Sequence, residues 1–152
     1  MLTSAQMVAI VKEIDATYVD GCCPPVERAD LVKYYSDDIE LHLPYGTPPV
    51  TGIDQVLERI LLEQSLFEHF EMEFKEPIVA GDTVVTCVSG TMRDRKTDDF
   101  VGFEAVEVSV FNPQGKICKK TLYLDLDSLE HAMGKQTLDN LIAEATQKIQ
   151  AQ

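Results

Sequence analysis

The chain has 152 residues, enough for one domain that hides roughly 70% of the extended chain's surface, and a hydrophobic share of 45% speaks for a folded globule. Its 26 acidic residues against 13 basic ones give a formal charge of −13, which repels nucleic acid and anionic lipid and removes both as partners. No apolar run approaches the ~18 residues of a membrane span, and the N-terminus has no basic region leading into a long apolar one. Cys22, Cys23, Cys87 and Cys118 lack the paired spacing of a zinc ribbon, so unpaired thiols in a reducing cytoplasm are expected.

In chain order, residues 4–20 read as a helix, because Met7, Val11, Ile14 and Tyr18 recur at helical steps while Lys12, Glu13 and Asp20 lie elsewhere. Gly21 ends it and Cys22-Cys23-Pro24-Pro25 forces a turn. A short helix over 26–35 has Leu31, Val32 and Tyr35 as its inner residues, and Ile39 to Leu43 alternates as a half-buried strand. Pro44 to Gly52 holds three prolines and two glycines, which gives a rigid irregular segment. A third helix over 53–68 directs Val56, Leu57, Ile60, Leu61 and Leu66 or Phe67 to the core.

The period then changes to two, and strands are expected over 71–79, 83–95, 100–111 and 116–125. Gly81-Asp82 and Asn112-Pro113-Gln114-Gly115 are turns, so neighbouring strands should pair antiparallel. Arg93 to Asp99 is a polar hairpin end whose mixed charges read as a solvated turn rather than a cation site. A helical piece near 129–133 precedes a last helix over 136–150 with Leu138, Leu141, Ile142, Ala145 and Ile149 on one side. The chain thus divides into a main domain, 1–134, and a C-terminal helix, 135–152, that caps the sheet or joins a second subunit. The class is α+β, with helices on one face of a long curved antiparallel sheet, and such wrapping leaves a conical cavity suited to a ligand.

Two glutamates interrupt the otherwise apolar run Phe103 to Phe111, one on each face of the strand. Phe103, Ala105, Glu107 and Ser109 share one face, while Glu104, Val106 and Val108 share the other. Whichever face is buried takes a carboxylate with it.

The stretch from Tyr35-Ser36-Asp37-Asp38 through Leu43-Pro44-Tyr45-Gly46 and Pro48-Pro49 to Gly52 resembles the pattern of ketosteroid isomerases. The strand Phe103 to Phe111 with its return Asn112-Pro113-Gln114-Gly115-Lys116-Ile117 is similar to the same family's strand and turn. The chain therefore resembles the cone-shaped α+β superfamily of nuclear transport factor 2, in its ketosteroid isomerase and SnoaL-like polyketide cyclase branch, across about residues 5–126. The resemblance selects the Phe103, Ala105, Glu107 and Ser109 face as cavity wall. It places Glu107 where the isomerase has an acid that donates to the substrate oxygen, and Leu43 where the isomerase has its proton-shuttling carboxylate. The steroid-isomerase mechanism is thereby removed as written. The partner tyrosine falls near Ile14 or Asp15, with Tyr18 one turn on, and Tyr35 matches a supporting tyrosine. A second likeness, to limonene-epoxide-hydrolase-like enzymes, rests on Leu122-Tyr123-Leu124-Asp125-Leu126; their catalytic Asp becomes Leu122 and their Arg-x-Asp pair becomes Arg93-Asp94-Arg95.

The expected catalytic set is Glu107, Asp15 and Tyr18. An apolar wall raises a glutamate's pKa so that it can exchange a proton near neutrality, a paired carboxylate at Asp15 can split acid and base roles, and Tyr18 can bind oxyanion charge. The ordinary readings are a solvated Asp15 and a Tyr18 packed in the core. Leu43, Phe103 and Leu122 are expected walls of the substrate pocket, with Tyr45 at its mouth and His42 as a further contact, although strand parity turns His42 away from Leu41 and Leu43.

Two function classes follow. One is a cofactor-independent isomerase or cyclase of secondary metabolism, with neither cofactor nor metal, acting on a small apolar or aromatic oxygenated metabolite (polyketide, terpenoid or steroid-like). The other is a noncatalytic ligand-binding or accessory protein; epoxide opening is a third chemistry. A cytoplasmic homodimer is expected in either case.

Overall fold

The computed structural model describes residues 1–18, 25–44 and 46–125, and beyond these 127, 130, 139, 140, 142, 143 and 147. Helix α1 (Ser4–Asp15) starts at Thr3, whose hydroxyl accepts from the Gln6 amide at 3.3 Å while Gln6 Oε1 accepts from the Thr3 amide at 2.8 Å. This reciprocal cap satisfies donors that a helix start leaves free. Met7, Val11 and Ile14 are buried as the periodicity predicts, but the helix stops at Asp15 and tightens into a 3₁₀ turn over Ala16–Tyr18. The expected turn with Cys22 and Cys23 lies outside the described residues.

Helix α2 (Arg28–Tyr34) runs directly into strand β1 (Tyr35–His42), so Tyr35 opens a strand rather than closing a helix. Lys116 Nζ donates to the carbonyls of Val32 at 2.9 Å and Lys33 at 2.6 Å, placing a cation where the helix end needs one. After β2 (Val50–Thr51), Gly52 at φ +88° starts α3 (Ile53–Leu66). Val56 and Ile60 point inward, whereas Leu61, expected in the core, is 38% exposed. It follows Ile60 by about 100° of helix rotation and so leaves the buried stripe.

Strand β3 (Phe67–Phe74) begins as α3 ends, and β4 (Ile78–Ala80) follows beyond Pro77, so the strand expected over 71–79 is two pieces. Both pair with the long β5 (Thr83–Asp94), which continues antiparallel to β6 (Phe100–Phe111) and then β7 (Ile117–Leu124). The sheet order is β2-β1-β7-β6-β5-β3, with β4 also against β5. The β1–β7 pairing is parallel, a departure from the expected antiparallel sheet, and β1 stands between β7 and the edge strand β2. The sheet's curvature needs Gly90: a Cβ there would sit 2.3 Å from the Glu71 carbonyl oxygen, beside the irregularity between Glu68 and Glu71.

The helices and the sheet bury two apolar clusters. One joins Met7, Val11, Leu31 and Val56 to Ile39 and Ile117 of the sheet, and the other gathers Phe70, Val88, Met92, Val101, Phe103 and Ala105. Of the expected C-terminal helix, Asp139, Asn140, Ile142, Ala143 and Gln147 are helical, and Ile142 packs on the second cluster. Leu129 and Met133 lie outside the described residues. No helix among the described residues is long and apolar enough to cross a membrane.

Candidate active site

Between helices and sheet lies a cavity of about 110 Å³. Its size is close to the ~150 Å³ that admits a benzene ring, so its inner part suits one ring of a ligand. Leu43, Phe103 and Leu122 are in its wall together with Ile14, Leu41, Val56, Ile60, Phe70, Val88 and Met92. Four lining residues are polar: Tyr35 from β1, Glu63 from α3, Glu107 from β6 and Lys120 from β7.

The register explains how the last two meet. Glu107 faces Leu122 and Ser109 faces Lys120, which makes Glu107 and Lys120 diagonal neighbours on the inner face. Lys120 Nζ is 3.0 Å from Glu107 Oε2, with the side chains 13% and 17% exposed. That oxygen receives no well-directed hydrogen bond, so the contact is charge pairing in a poorly solvated place.

Asp15 is 4% exposed, and its Oδ2 has no hydrogen-bond partner. Burial, and after it the like charge of Glu107, push its pKa up to about 7 against the opposing pull of Lys120. Burial works to lower the Lys120 ammonium, but Glu107, Tyr35 and Asp15 outweigh it and hold the lysine well above its ordinary range. Burial also raises the Tyr35 phenol, with Lys120 opposing and Glu107 adding to the effect. Glu63 is raised by burial, relieved by Arg59 and raised further by Glu107. Arg59 itself donates to the Leu43 carbonyl at 2.5 Å, tying α3 to the end of β1. Five groups from five elements thus share one electrostatic environment, and four of them, all but Asp15, line the apolar cavity.

The sequence signature of the SnoaL-like domain covers residues 27–120, well over half the chain. The chain belongs to the SnoaL-like family. In three dimensions it is similar to a protein described as a SnoaL-like polyketide cyclase from Jannaschia sp. CCS1, with a TM-score of 0.76 at 15% identity, over 89% of this chain and 97% of that one. TsrD from Streptomyces laurentii gives 0.69 at 15% identity over 88% and 98%. The epoxide hydrolase/cyclase-like enzyme SalBIII, tied to pyran ring formation in the polyether salinomycin, gives 0.69 at 16% over 84% and 97%. At such identities the likeness fixes the fold, the one inferred for the nuclear transport factor 2 superfamily. No curated protein matches the chain by sequence.

In this SnoaL-like domain the expected residues separate clearly. Glu107, Leu43, Phe103 and Leu122 share the cavity, and Asp15, next to the lining residue Ile14, is buried outside its wall but within the field of Glu107. His42 does not join them: it is on the opposite face of β1, with Nε2 2.6 Å from Glu40 Oε1, beside Lys119, which pairs with the same carboxylate oxygen. Tyr18 belongs to the 3₁₀ turn, but its side chain, like the whole of Tyr45, lies outside the described residues. Glu104 is exposed on the outer face.

Asp94 is buried in the β5–β6 turn, where Oδ1 accepts from the amides of Lys96 at 2.7 Å and Thr97 at 3.3 Å. It caps a turn and stays out of the cavity, while Arg93 and Arg95 pair with Glu68. The described residues contain no cluster of three or more metal-binding side chains. Lys120 and Glu63 were not anticipated, although simple spacing reaches both: Lys120 precedes the expected wall residue Leu122 by two, and Glu63 follows Ile60 by three and Val56 by seven.

Proposed function

We propose that this SnoaL-like domain is a cofactor-independent isomerase or cyclase that moves a proton on a small apolar, oxygenated metabolite of polyketide, terpenoid or steroid-like chemistry. The observation that carries this is the carboxylate pair: Asp15, buried and titrating at about 7, lies within the field of Glu107, which faces an apolar cavity. A buried acid that keeps its proton up to about neutral pH, beside a second carboxylate that faces the ligand space, suits proton transfer. Glu107 takes a proton from the carbon beside a substrate carbonyl, and the C–H electron pair moves into a new C=C bond as negative charge collects on the oxygen. Return of the proton to another carbon gives isomerisation. Attack of the enolate carbon on a second carbonyl closes a ring, the carbonyl π pair passing to its oxygen, which takes the proton back from Glu107. The cyclase-like names of its structural neighbours agree with this chemistry.

The test needs no knowledge of the natural product. Small cyclic β,γ-unsaturated ketones in D₂O should take up deuterium in the presence of the protein, followed by proton NMR. Exchange should increase as pH rises through about 7, where Asp15 loses its proton and its charge adds to the field at Glu107. Glu107→Gln and Asp15→Asn should each slow it by roughly 100-fold or more. Wild-type protein that catalyses no exchange across such a panel would favour a ligand-binding role instead.

A further inference from the structure

We propose that Lys120 is the oxyanion-binding residue, and that it exchanges anionic partners during the reaction: Glu107 before proton transfer, the substrate oxygen after it. The inference rests on the proton-transfer reading above and adds the electrophile that reading leaves unnamed.

Lys120 is the sole cation among the described residues lining the cavity, and its one short charged contact is Glu107, at 3.0 Å. Tyr35 and Asp15 are its other polar neighbours, and Glu63 faces the same space from α3. When Glu107 accepts the substrate proton, its charge disappears at the oxygen that Lys120 was balancing. One elementary charge appears at the same moment on the substrate oxygen. The cavity's total charge is unchanged, and an ammonium with three donors can follow the charge across a short distance with little reorganisation. In a poorly hydrated site this is a large effect, because an unpaired cation or an unpaired enolate would each be costly.

The arrangement also defines the ligand. The reacting compound is neutral, carrying a carbonyl that sits against Lys120 and Tyr35 and an apolar body against Phe103 and Met92. A carboxylate ligand would place another anion beside Glu107, Glu63 and Asp15 without removing one. A protonated lysine held by anions is also unsuited to attack a carbonyl as a free amine, so the residue serves by charge rather than through a Schiff base.

The probe is 4-nitrophenol, a single-ring acid whose phenolate absorbs in the visible and whose phenol does not. It can pass its proton to the carboxylate pair and leave its oxyanion on Lys120, reproducing the charge exchange without turnover. Titrated into wild-type protein at slightly acidic pH, it should gain the phenolate band on binding. Lys120→Met should lose that band and weaken binding by roughly 10- to 100-fold, the value of a charge-assisted hydrogen bond. Lys120→Arg should keep most of it, and exposed Lys119→Met should leave it unchanged. A wild-type protein that binds the neutral phenol, or does not bind the probe, overturns the proposal without any variant having to fold. An equal phenolate band in folded Lys120→Met overturns it as well. Deuterium exchange that survives in Lys120→Met would sink the partner exchange while leaving the proton-transfer reading intact. Lys120-dependent phenolate binding without any exchange activity would do the reverse.

Discussion

Asp15 shows at the level of one residue how far sequence spacing reaches. It belongs to α1 and follows buried Val11 by four and Met7 by eight, so helical spacing alone carries its carboxylate inward beside Ile14. Only the expectation that aspartates face water hides it. Lys120 is a parallel case, since alternation from Leu122 reaches it directly and only the same expectation for lysines conceals it.

The placement of Asp15 has a measurable consequence for stability. Its pKa rises from an ordinary 3.8 to about 7, so between these values the folded state binds the proton more tightly than the unfolded chain does. The protonated group's contribution is complete below the lower value and is lost as pH rises through the upper one. The gap corresponds to about 4 kcal/mol as a ceiling. Asp15→Asn should therefore stabilise the fold by a few kcal/mol at about pH 8, change it little at about pH 4, and flatten the dependence between. Urea unfolding at both pH values measures this; equal effects at the two would show that Asp15 does not titrate in that window.

Among the elements, the positions of strands and helices follow from period and turn residues, and the discrepancies lie where one element passes into another without a loop. Tyr35 and Phe67 each open a strand immediately after a helix, so the apolar pattern never breaks to announce the change. The β3–β5 contact is likewise hidden in sequence, because a glycine in a strand does not say which backbone crosses it. Gly90→Ala should destabilise the protein by about 1–3 kcal/mol or more, since the added carbon meets backbone rather than a movable side chain. Gly102→Ala is the matched control: its nearest neighbour would be 3.9 Å away, and the change should be neutral or slightly stabilising. Thermal unfolding of the two variants side by side decides the point. Lys116→Met, which frees two carbonyls at the end of α2, should cost about 1–2 kcal/mol in the same assay.

For the molecule as a whole, the α+β class, the order of elements and the cavity were legible because an amphipathic helix and a one-sided sheet have to cover each other. The size of the cavity was not, since it depends on how closely curved strands approach the helices. An unfilled space of about 110 Å³ lined by packed side chains withholds about 3 kcal/mol of stability at the cost found for engineered core cavities. A fold with no use for that space gains by filling it. Val88, a buried apolar wall residue of β5 that faces Ala105 and is a diagonal neighbour of Glu107, is the position that separates the two outcomes. Val88→Phe should raise the unfolding free energy by about 0.5–2 kcal/mol as the ring enters the cavity. It should also abolish 4-nitrophenol binding and deuterium exchange together. A variant that is stabilised yet binds and exchanges as wild type does would place the ligand elsewhere, because a ring occupying this cavity leaves no room for a second one.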